Sequence, residues 1–308
     1  MPSTTGTAPL STVIDVGTLV RKASPDEALV TAWTRLSETT QQIAVRWPGD
    51  HAFYVEGDRY RPLLFIESLR QALALLTHEV HEIPLGHRLG WEQLGFHVDP
   101  AALATGYAPE SEAVTLLVTH PSVRRRRMGS VHLTSHIEAF RLGTRIGRAE
   151  VRYTTHPPLL YDRLRGPYAN AAEAFLRAVP PAPPVAAHRV GRSNGRDVVL
   201  SPTDIPLTWQ LRADTEHKVL FDHPHDHVPG MVLLEAAAQG AQAALSEPVD
   251  AIACDTEFIR YVELDRPCLV TAEPGTADRT GRRPVRVHAS QDGKTVVTTT
   301  VTTLPRPA

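Results

Sequence analysis

The sequence has little cysteine, no long apolar run and almost no net charge. Cys254 and Cys268 are the only two cysteines among 308 residues, too few for a disulfide scaffold or a cysteine-rich zinc site, and a reducing compartment fits that scarcity. No apolar stretch approaches the ~20 residues of a membrane span, and residues 1–10 lack a basic segment followed by an apolar one. The expectation is a soluble cytoplasmic protein that neither crosses nor inserts into a membrane. Lys and Arg number 32 against 34 Asp and Glu, for a net charge of −2; nucleic-acid binding, which shows as a strongly basic domain, is not indicated. With 42% hydrophobic and 21% charged residues the chain is neither disordered nor fibrous.

Proline is not scarce: 26 residues, ahead of 19 glycines. Pro180, Pro181, Pro183 and Pro184 fall together, and prolines so spaced sustain neither a helix interior nor a central strand, because they remove amide donors and fix φ. The expected organisation is a disordered N-terminus over 1–15, a first unit over 16–178, a linker over 179–187 and a second unit over 188–308.

The units share a pattern. Residues 62–76 and 229–243 are each opened by proline and apolar on nearly every face, as helices buried all round are. Placing Glu67 on Glu235 also places Gln71 on Gln239, an offset of 168 residues read directly from the numbering, and this reads as an internal duplication. Strand-like runs follow each helix: 113–118, 129–134 and 148–154 after the first, 257–263, 268–273, 284–289 and 295–301 after the second. Turn signals such as Gln291 to Lys294 make neighbours antiparallel hairpins. The fold class predicted is α+β: two curved antiparallel sheets, each wrapped around a long buried helix.

Few polar residues interrupt these helices. Glu67, Arg70 and Gln71 share one stripe, as do Glu235, Gln239 and Gln242. A buried carboxylate is costly unless paired or hydrogen-bonded. Either Glu67 and Arg70 form a structural ion pair while Gln239 satisfies loop carbonyls, or the carboxylates are acid/base groups whose pKa an apolar cleft raises; the second is the working expectation. The other notable stretch, Asp222-His223-Pro224-His225-Asp226-His227, leads straight into the second helix, whose positive dipole end favours neutral imidazole. Extended, it would put His223, His225 and His227 on one side, as a three-histidine metal site needs. Pro224 favours a turn instead, no other ligand motif accompanies it, and neither metal nor cofactor is expected.

His-Pro, then Pro-Gly, then an apolar helix with Glu and a Gln four residues on resembles the hotdog-fold dehydratases and thioesterases. More closely, Asp222-His223-Pro224 with residues 226–237, the earlier Trp47-Pro48-Gly49-Asp50-His51-Ala52-Phe53, Glu67-Ser68-Leu69-Arg70-Gln71, Pro84-Leu85-Gly86-His87, and His188-Arg189-Val190-Gly191-Arg192 with Asp197 to Leu200 resemble, in order, the motifs of the A-factor synthase (AfsA-type) family of γ-butyrolactone biosynthesis. One departure stands out: Ala238 occupies the second-helix position where that family usually has Arg.

The resemblance implies a double hotdog and an acyltransferase that moves a β-ketoacyl group from acyl carrier protein to the hydroxyl of dihydroxyacetone phosphate. No G-x-S-x-G elbow or activated cysteine motif appears, so direct attack by the alcohol fits better than an acyl-enzyme. By analogy with hotdog dehydratases, whose sites combine His from one subunit with Glu from another, the resemblance pairs His223 with Glu67 and Arg70, and His51 with Glu235. It makes Glu67 or His223 the general base, the Gly230 and Met231 amides the oxyanion donors, and Arg70, Gln71 and Gln239 substrate contacts. Arg124-Arg125-Arg126-Arg127 reads as a solvated inter-strand loop or as a docking patch for the acidic carrier. A dehydratase or thioesterase, or a non-catalytic binding protein, are the alternatives. Since tandem copies satisfy their own pairing, a monomer or weak dimer is expected.

Overall fold

Two helices that are apolar on nearly every face need a surface that curves around them, and a twelve-stranded antiparallel sheet supplies it. The computed structural model describes residues 16–106 and 112–306; the expected disordered segment 1–15 lies outside them. The first half runs α1 (Val16–Val20), β1 (Val30–Arg35), β2 (Thr40–Arg46), the small pair β3 (Val55–Glu56) and β4 (Arg59–Tyr60), α2 (Pro62–Glu79), β5 (Arg88–Val98), β6 (Ala113–Arg125), β7 (Val131–Arg141) and β8 (Thr144–His156). Two short helices, α3 (Pro158–Arg165) and α4 (Ala171–Leu176), follow. The second half runs β9 (Leu200–Pro202), β10 (Thr208–Leu211), α5 (Gly230–Leu245), β11 (Val249–Phe258), β12 (Cys268–Pro274), β13 (Arg283–Gln291) and β14 (Lys294–Pro305).

Strand order is β1-β2-β6-β7-β8-β5 and then β11-β14-β13-β12-β10-β9. Read inward from each edge, the halves have the same connectivity, so the duplication seen in the helices extends to the sheet. The seam is β5 against β11, antiparallel from Gln93 opposite Glu257 to His97 opposite Ala253. Hairpins repeat too. Asp292 and Gly293 join β13 to β14 with φ of 51° and 69°, and Leu142 and Gly143 join β7 to β8 with 49° and 75°, the paired positive values that a two-residue hairpin turn requires.

Helix α2 begins where Pro62 takes the first-turn position, whose amide has no intrahelical partner anyway. Only Pro62, Arg70 and Glu79 within it are not fully buried. Leu64, Leu69, Leu73, Leu75 and Leu76 are at most 1% exposed, each contributing about 1.5–3 kcal/mol of apolar burial. Helix α5 has the same course with smaller side chains: Ala236, Ala237, Gly240, Ala241 and Ala243 are buried in it.

One expected strand is shifted. Residues 257–263 do not form a single strand: β11 ends at Phe258, and the chain leaves the ladder so that Val262 O accepts from Val228 N at 2.9 Å and Gln291 Oε1 accepts from Glu263 N at 2.9 Å. That departure braces the loop before α5. The proline-rich stretch runs without helix or strand from 179 to 186, and it lies on the second half by carbonyl acceptance, Ala182 O receiving Ser201 Oγ–H and Arg212 Nε–H at 3.0 Å each.

Helix α3 clamps the same loop. Arg165, 7% exposed, donates Nε to Asp226 Oδ2 (2.8 Å) and both terminal nitrogens to Glu263 (2.7 Å each), while Tyr161 Oη donates to Asp226 at 2.7 Å. Removing one partner of a buried network strands the others without counter-charge. Arg165→Met, which keeps the bulk, is therefore expected to lower unfolding free energy by about 3 kcal/mol in urea denaturation; a loss below about 1 kcal/mol, the size of an exposed pair, would show that the clamp does not hold the loop.

Candidate active site

Each half folds a short turn against the middle of its buried helix, and a glutamine fastens it. Gln71 Oε1 accepts from Leu29 N (2.7 Å), and its Nε2 donates to Glu27 O (2.7 Å) and Glu67 Oε1 (2.8 Å). Gln239 repeats this bond for bond, accepting from Val199 N (3.0 Å) and donating to Asp197 O (2.8 Å) and Glu235 Oε1 (2.6 Å). The two glutamines, expected as substrate contacts, are thus saturated by their own half. Beside each carboxylate the turn delivers a cation. Lys22 Nζ sits 3.6 Å from Glu67 Oε1, and Arg192 places Nη2 2.7 Å and Nε 2.9 Å from Glu235 Oε1.

Glu67 is 2% exposed and also receives Arg70 on both oxygens, Nε to Oε2 at 2.8 Å and Nη2 to Oε1 at 2.7 Å. The expectation of a raised pKa is overturned. Burial pushes the carboxyl up, but the charges of Arg70 and Lys22 and the hydrogen bonds from Arg70 and Gln71 outweigh it and hold the pKa down at about 2. A carboxylate so held is a poor proton acceptor. It is the anchor of the site.

Lys22 links that anchor to the other half. Its Nζ lies 3.5 Å from Asp222 Oδ2, which also accepts from Ala23 N at 3.0 Å, and Asp222 Oδ1 lies 2.7 Å from His223 Nδ1. Burial raises the Asp222 pKa, but the His223 hydrogen bond, the Lys22 charge and the Ala23 amide bring it well below the usual range. The carboxylate is therefore ionised and holds Nδ1–H, leaving Nε2 as the free acceptor of a half-exposed imidazole. His225 stacks on His223 with ring centroids 4.1 Å apart; burial, then the His223 and His227 charges, press its pKa down to about 3, so it is neutral near pH 7. The sequence pairing of His223 with Glu67 and Arg70 thus comes together through Lys22 and Asp222, with both halves contributing.

The other expected pairing does not form. His51 Nε2 faces Glu27 at 3.2 Å and its Nδ1 accepts from Phe53 and Tyr54 amides, and no ion pair or hydrogen bond joins it to Glu235. His217 does the same with Asp197, Val219 and Leu220, so His51 is the copy of His217, a turn-closing residue, and not of His223. Counted from these histidines, Asp222 corresponds to Glu56 and His223 to Gly57. The second carboxylate has no imidazole opposite it. Instead it borders a narrow cleft whose lining includes Arg61, Ile66, Ala237, Ala238, Gln242 and Cys254. The cleft opens because α5 carries alanines where α2 carries Leu69 and Arg70.

His227 turns away from His223 and His225 to Asp226 at 2.9 Å, so the three histidines do not share a side; the Pro224 turn and the Arg165 clamp separate them. Asp222, His223 and His225 do bring ligand atoms within 4.8 Å of one another, but Lys22 at 3.5 Å already neutralises that carboxylate and opposes a divalent cation. The Gly230 and Met231 amides open α5 with no hydrogen-bond partner among the described residues. Arg124 to Arg127 are exposed at the β6–β7 turn, Arg125 donating to His81 O at 2.6 Å. Lys22, Arg192 and Asp222's bridging role escaped the sequence analysis; the signal was there, since Val20-Arg21-Lys22-Ala23 and Val190-Gly191-Arg192-Ser193 occupy equivalent turns before β1 and β9.

A description of the A-factor biosynthesis hotdog domain matches residues 3–157 and again 176–307, skipping the α3–α4 segment. The chain belongs to the AfsA family. A Streptomyces virginiae protein called 2-oxo-3-(phosphooxy)propyl 3-oxoalkanoate synthase is 38% identical over 280 residues, 90% of this chain and 93% of the relative. A Streptomyces coelicolor protein of the same name is 35% identical over 295 residues, 92% and 89%. Among solved structures, an acyl-ACP thioesterase from Bacteroides thetaiotaomicron (TM-score 0.52, 13% identity, 87% of this chain and 100% of that one) and a 12:0-ACP thioesterase from Umbellularia californica (0.50, 9%, 87% and 94%) share the fold. No described helix of this AfsA-family chain is long and apolar enough to cross a membrane.

The charge lock on Glu67 has a pH signature. Its folded pKa is below its unfolded value, so its stabilisation is complete above about pH 5 and lost as pH falls toward about 2. Glu67→Gln is expected to cost about 3 kcal/mol at pH 7, and the gap between wild type and variant should close as denaturation is repeated down to pH 2; a gap that stays constant would contradict the lock.

Proposed function

We propose that this protein is an acyltransferase that joins a β-ketoacyl group, delivered as an acyl-carrier-protein thioester, to the free hydroxyl of dihydroxyacetone phosphate. The product would be the 2-oxo-3-(phosphooxy)propyl 3-oxoalkanoate named in its relatives. The observation that carries the reading is the Asp222–His223 pair tied through Lys22 to Glu67 and Arg70: an oriented imidazole acceptor beside fixed positive charge, assembled from both halves of one chain.

Of the two candidates expected as general base, Glu67 or His223, His223 takes the role and Asp222 orients it, because the charges beside Glu67 hold its pKa down at about 2. Nε2 accepts the hydroxyl proton as the acceptor oxygen bonds to the thioester carbon. The tetrahedral oxyanion is met by the Gly230 and Met231 amides at the positive end of α5. Collapse breaks the C–S bond, and the imidazolium returns its proton to the departing carrier thiolate. Arg70, locked to Glu67 yet partly exposed, and Lys22 supply a positive field for the phosphate and the developing charge. The cleft beside Glu235 has no imidazole and is assigned no step of the transfer. One chain completes one site, so a monomer suffices.

Two experiments test this. Mass spectrometry of products from β-ketoacyl carrier protein with and without dihydroxyacetone phosphate should find the phosphoester only with acceptor; acceptor-independent release of free acid or enoyl product would instead support a thioesterase or dehydratase. His223→Ala should lower the transfer rate by about 10²–10⁴ with unchanged melting temperature, and near-normal turnover would remove His223 from the chemistry. For the carrier, reversing Arg124 to Arg127 to glutamate should raise KM for the carrier-bound donor and not for the acceptor; an unchanged donor KM would discard docking at that turn.

A further inference from the structure

Arg21 is held where an arginine is hard to hold. It follows α1 with φ of 58°, in the left-handed region that disfavours any side chain with a Cβ, and the equivalent residue of the second half is Gly191, with φ of 68°. Its side chain finds only neutral acceptors. Nη2 donates to His87 O at 2.5 Å and Leu85 O at 3.2 Å and lies 3.4 Å from His78 Nε2, while Nε is buried with no partner among the described residues. His78 Nδ1 is engaged by Ile83 O at 2.6 Å, so Nε2 of a neutral ring is the acceptor.

The three arginines that are buried as whole residues each face a carboxylate: Arg61 faces Glu56, Arg165 faces Asp226 and Glu263, and Arg192 faces Glu235. Arg21 has none within 4.0 Å among the described residues. Its charged neighbours are instead Arg88 and Arg70, and together with burial they bring its pKa down to about 10. Arg88 opens β5, exposed and without an ion pair among the described residues. A partly buried guanidinium amid like charge is costly unless an anion arrives to neutralise it. The next residue, Lys22, is already taken by Glu67 and Asp222, so it offers Arg21 no spare carboxylate, and Arg21 is left with the positive charge of Arg88 and Arg70 around it.

We propose that Arg21 and Arg88, with Arg70 between them and the His223 site, form the subsite for the phosphate monoester of the acyl acceptor. A phosphate dianion supplies the missing counter-charge, and guanidinium groups meet its oxygens with charge-assisted hydrogen bonds. The strained backbone keeps Arg21 turned toward His87 and Leu85, so the phosphate is fixed while the hydroxyl at the other end of a three-carbon acceptor reaches His223. This rests on the transfer reaction proposed above and deepens it by naming the residues that select a phosphorylated alcohol.

The test uses Arg21→Gln, Arg21→Lys and the exposed Arg88→Gln in the full chain, with melting temperatures to establish folding. KM for dihydroxyacetone phosphate should rise at least about tenfold in Arg21→Gln and in Arg88→Gln, with Arg21→Lys between them and wild type and with KM for the carrier-bound donor unchanged. Direct titration with inorganic phosphate should show the same ranking, and unphosphorylated dihydroxyacetone should be used equally poorly by all forms. An acceptor KM unchanged in Arg88→Gln and Arg21→Gln overturns the proposal. So does a raised donor KM with unchanged acceptor KM, which would give the subsite to the carrier's phosphodiester. Failure of the transfer reading is separate, since it would appear as no phosphoester from the wild-type protein.

Discussion

A carboxylate in the middle of a helix that is buried on every side is the constraint from which the rest of this molecule follows. Glu67 and Glu235 cannot remain ionised there without cations, and the fold supplies them by bending a turn from before the first strand of each half against the helix and pinning it with a glutamine. The pinning fixes Lys22 and Arg192, and Lys22 in turn fixes Asp222 from the opposite half. Site geometry is thereby a by-product of solving the burial problem. Glu67 has spent its basicity in doing so, which is why the proposed proton transfer falls to the imidazole at the end of the chain of contacts.

Duplication gave two such solutions and the copies have diverged at the positions that matter. Where the first carboxylate has Arg70 on its own helix, the second has Ala238 and relies on Arg192. Opposite the first stands His223 on Asp222; opposite the second, Gly57 follows Glu56, whose partner is Arg61. Arg21 is matched by Gly191. Charge and imidazole have gathered in one site, and small residues with a cleft in the other. The catalytic asymmetry we propose within a symmetric fold follows from this, and the site joins both halves of the chain, because Lys22, Glu67 and Arg70 come from the first and Asp222 and His223 from the second.

Periodicity made the long helices, the central hairpins and the duplication legible, since helices buried all round and strands with two-residue turns leave local signatures. The Glu67–Arg70 pair was legible as one of two options, and composition alone could not choose between a raised and a lowered pKa: the outcome depended first on Arg70 closing onto both carboxylate oxygens and then on Lys22, 45 positions earlier in the sequence. His51 was misassigned for a similar reason. A histidine ahead of a Pro-initiated helix looks the same whether it closes a turn on Glu27 or faces a carboxylate across the chain, and only the register of Asp197 with His217 tells the two apart. The short edge strands β9 and β10 and the α3 clamp were invisible, being specified by tertiary contacts to Ala182, Asp226 and Glu263 rather than by local pattern.

The central claim is that two equivalent folds hold one working site. Calorimetric titration of the intact chain with dihydroxyacetone phosphate measures this through its stoichiometry. The account predicts one acceptor bound per chain, at the half-site that owns Arg21, Arg70 and His223. Two bound per chain with equal affinity would contradict it.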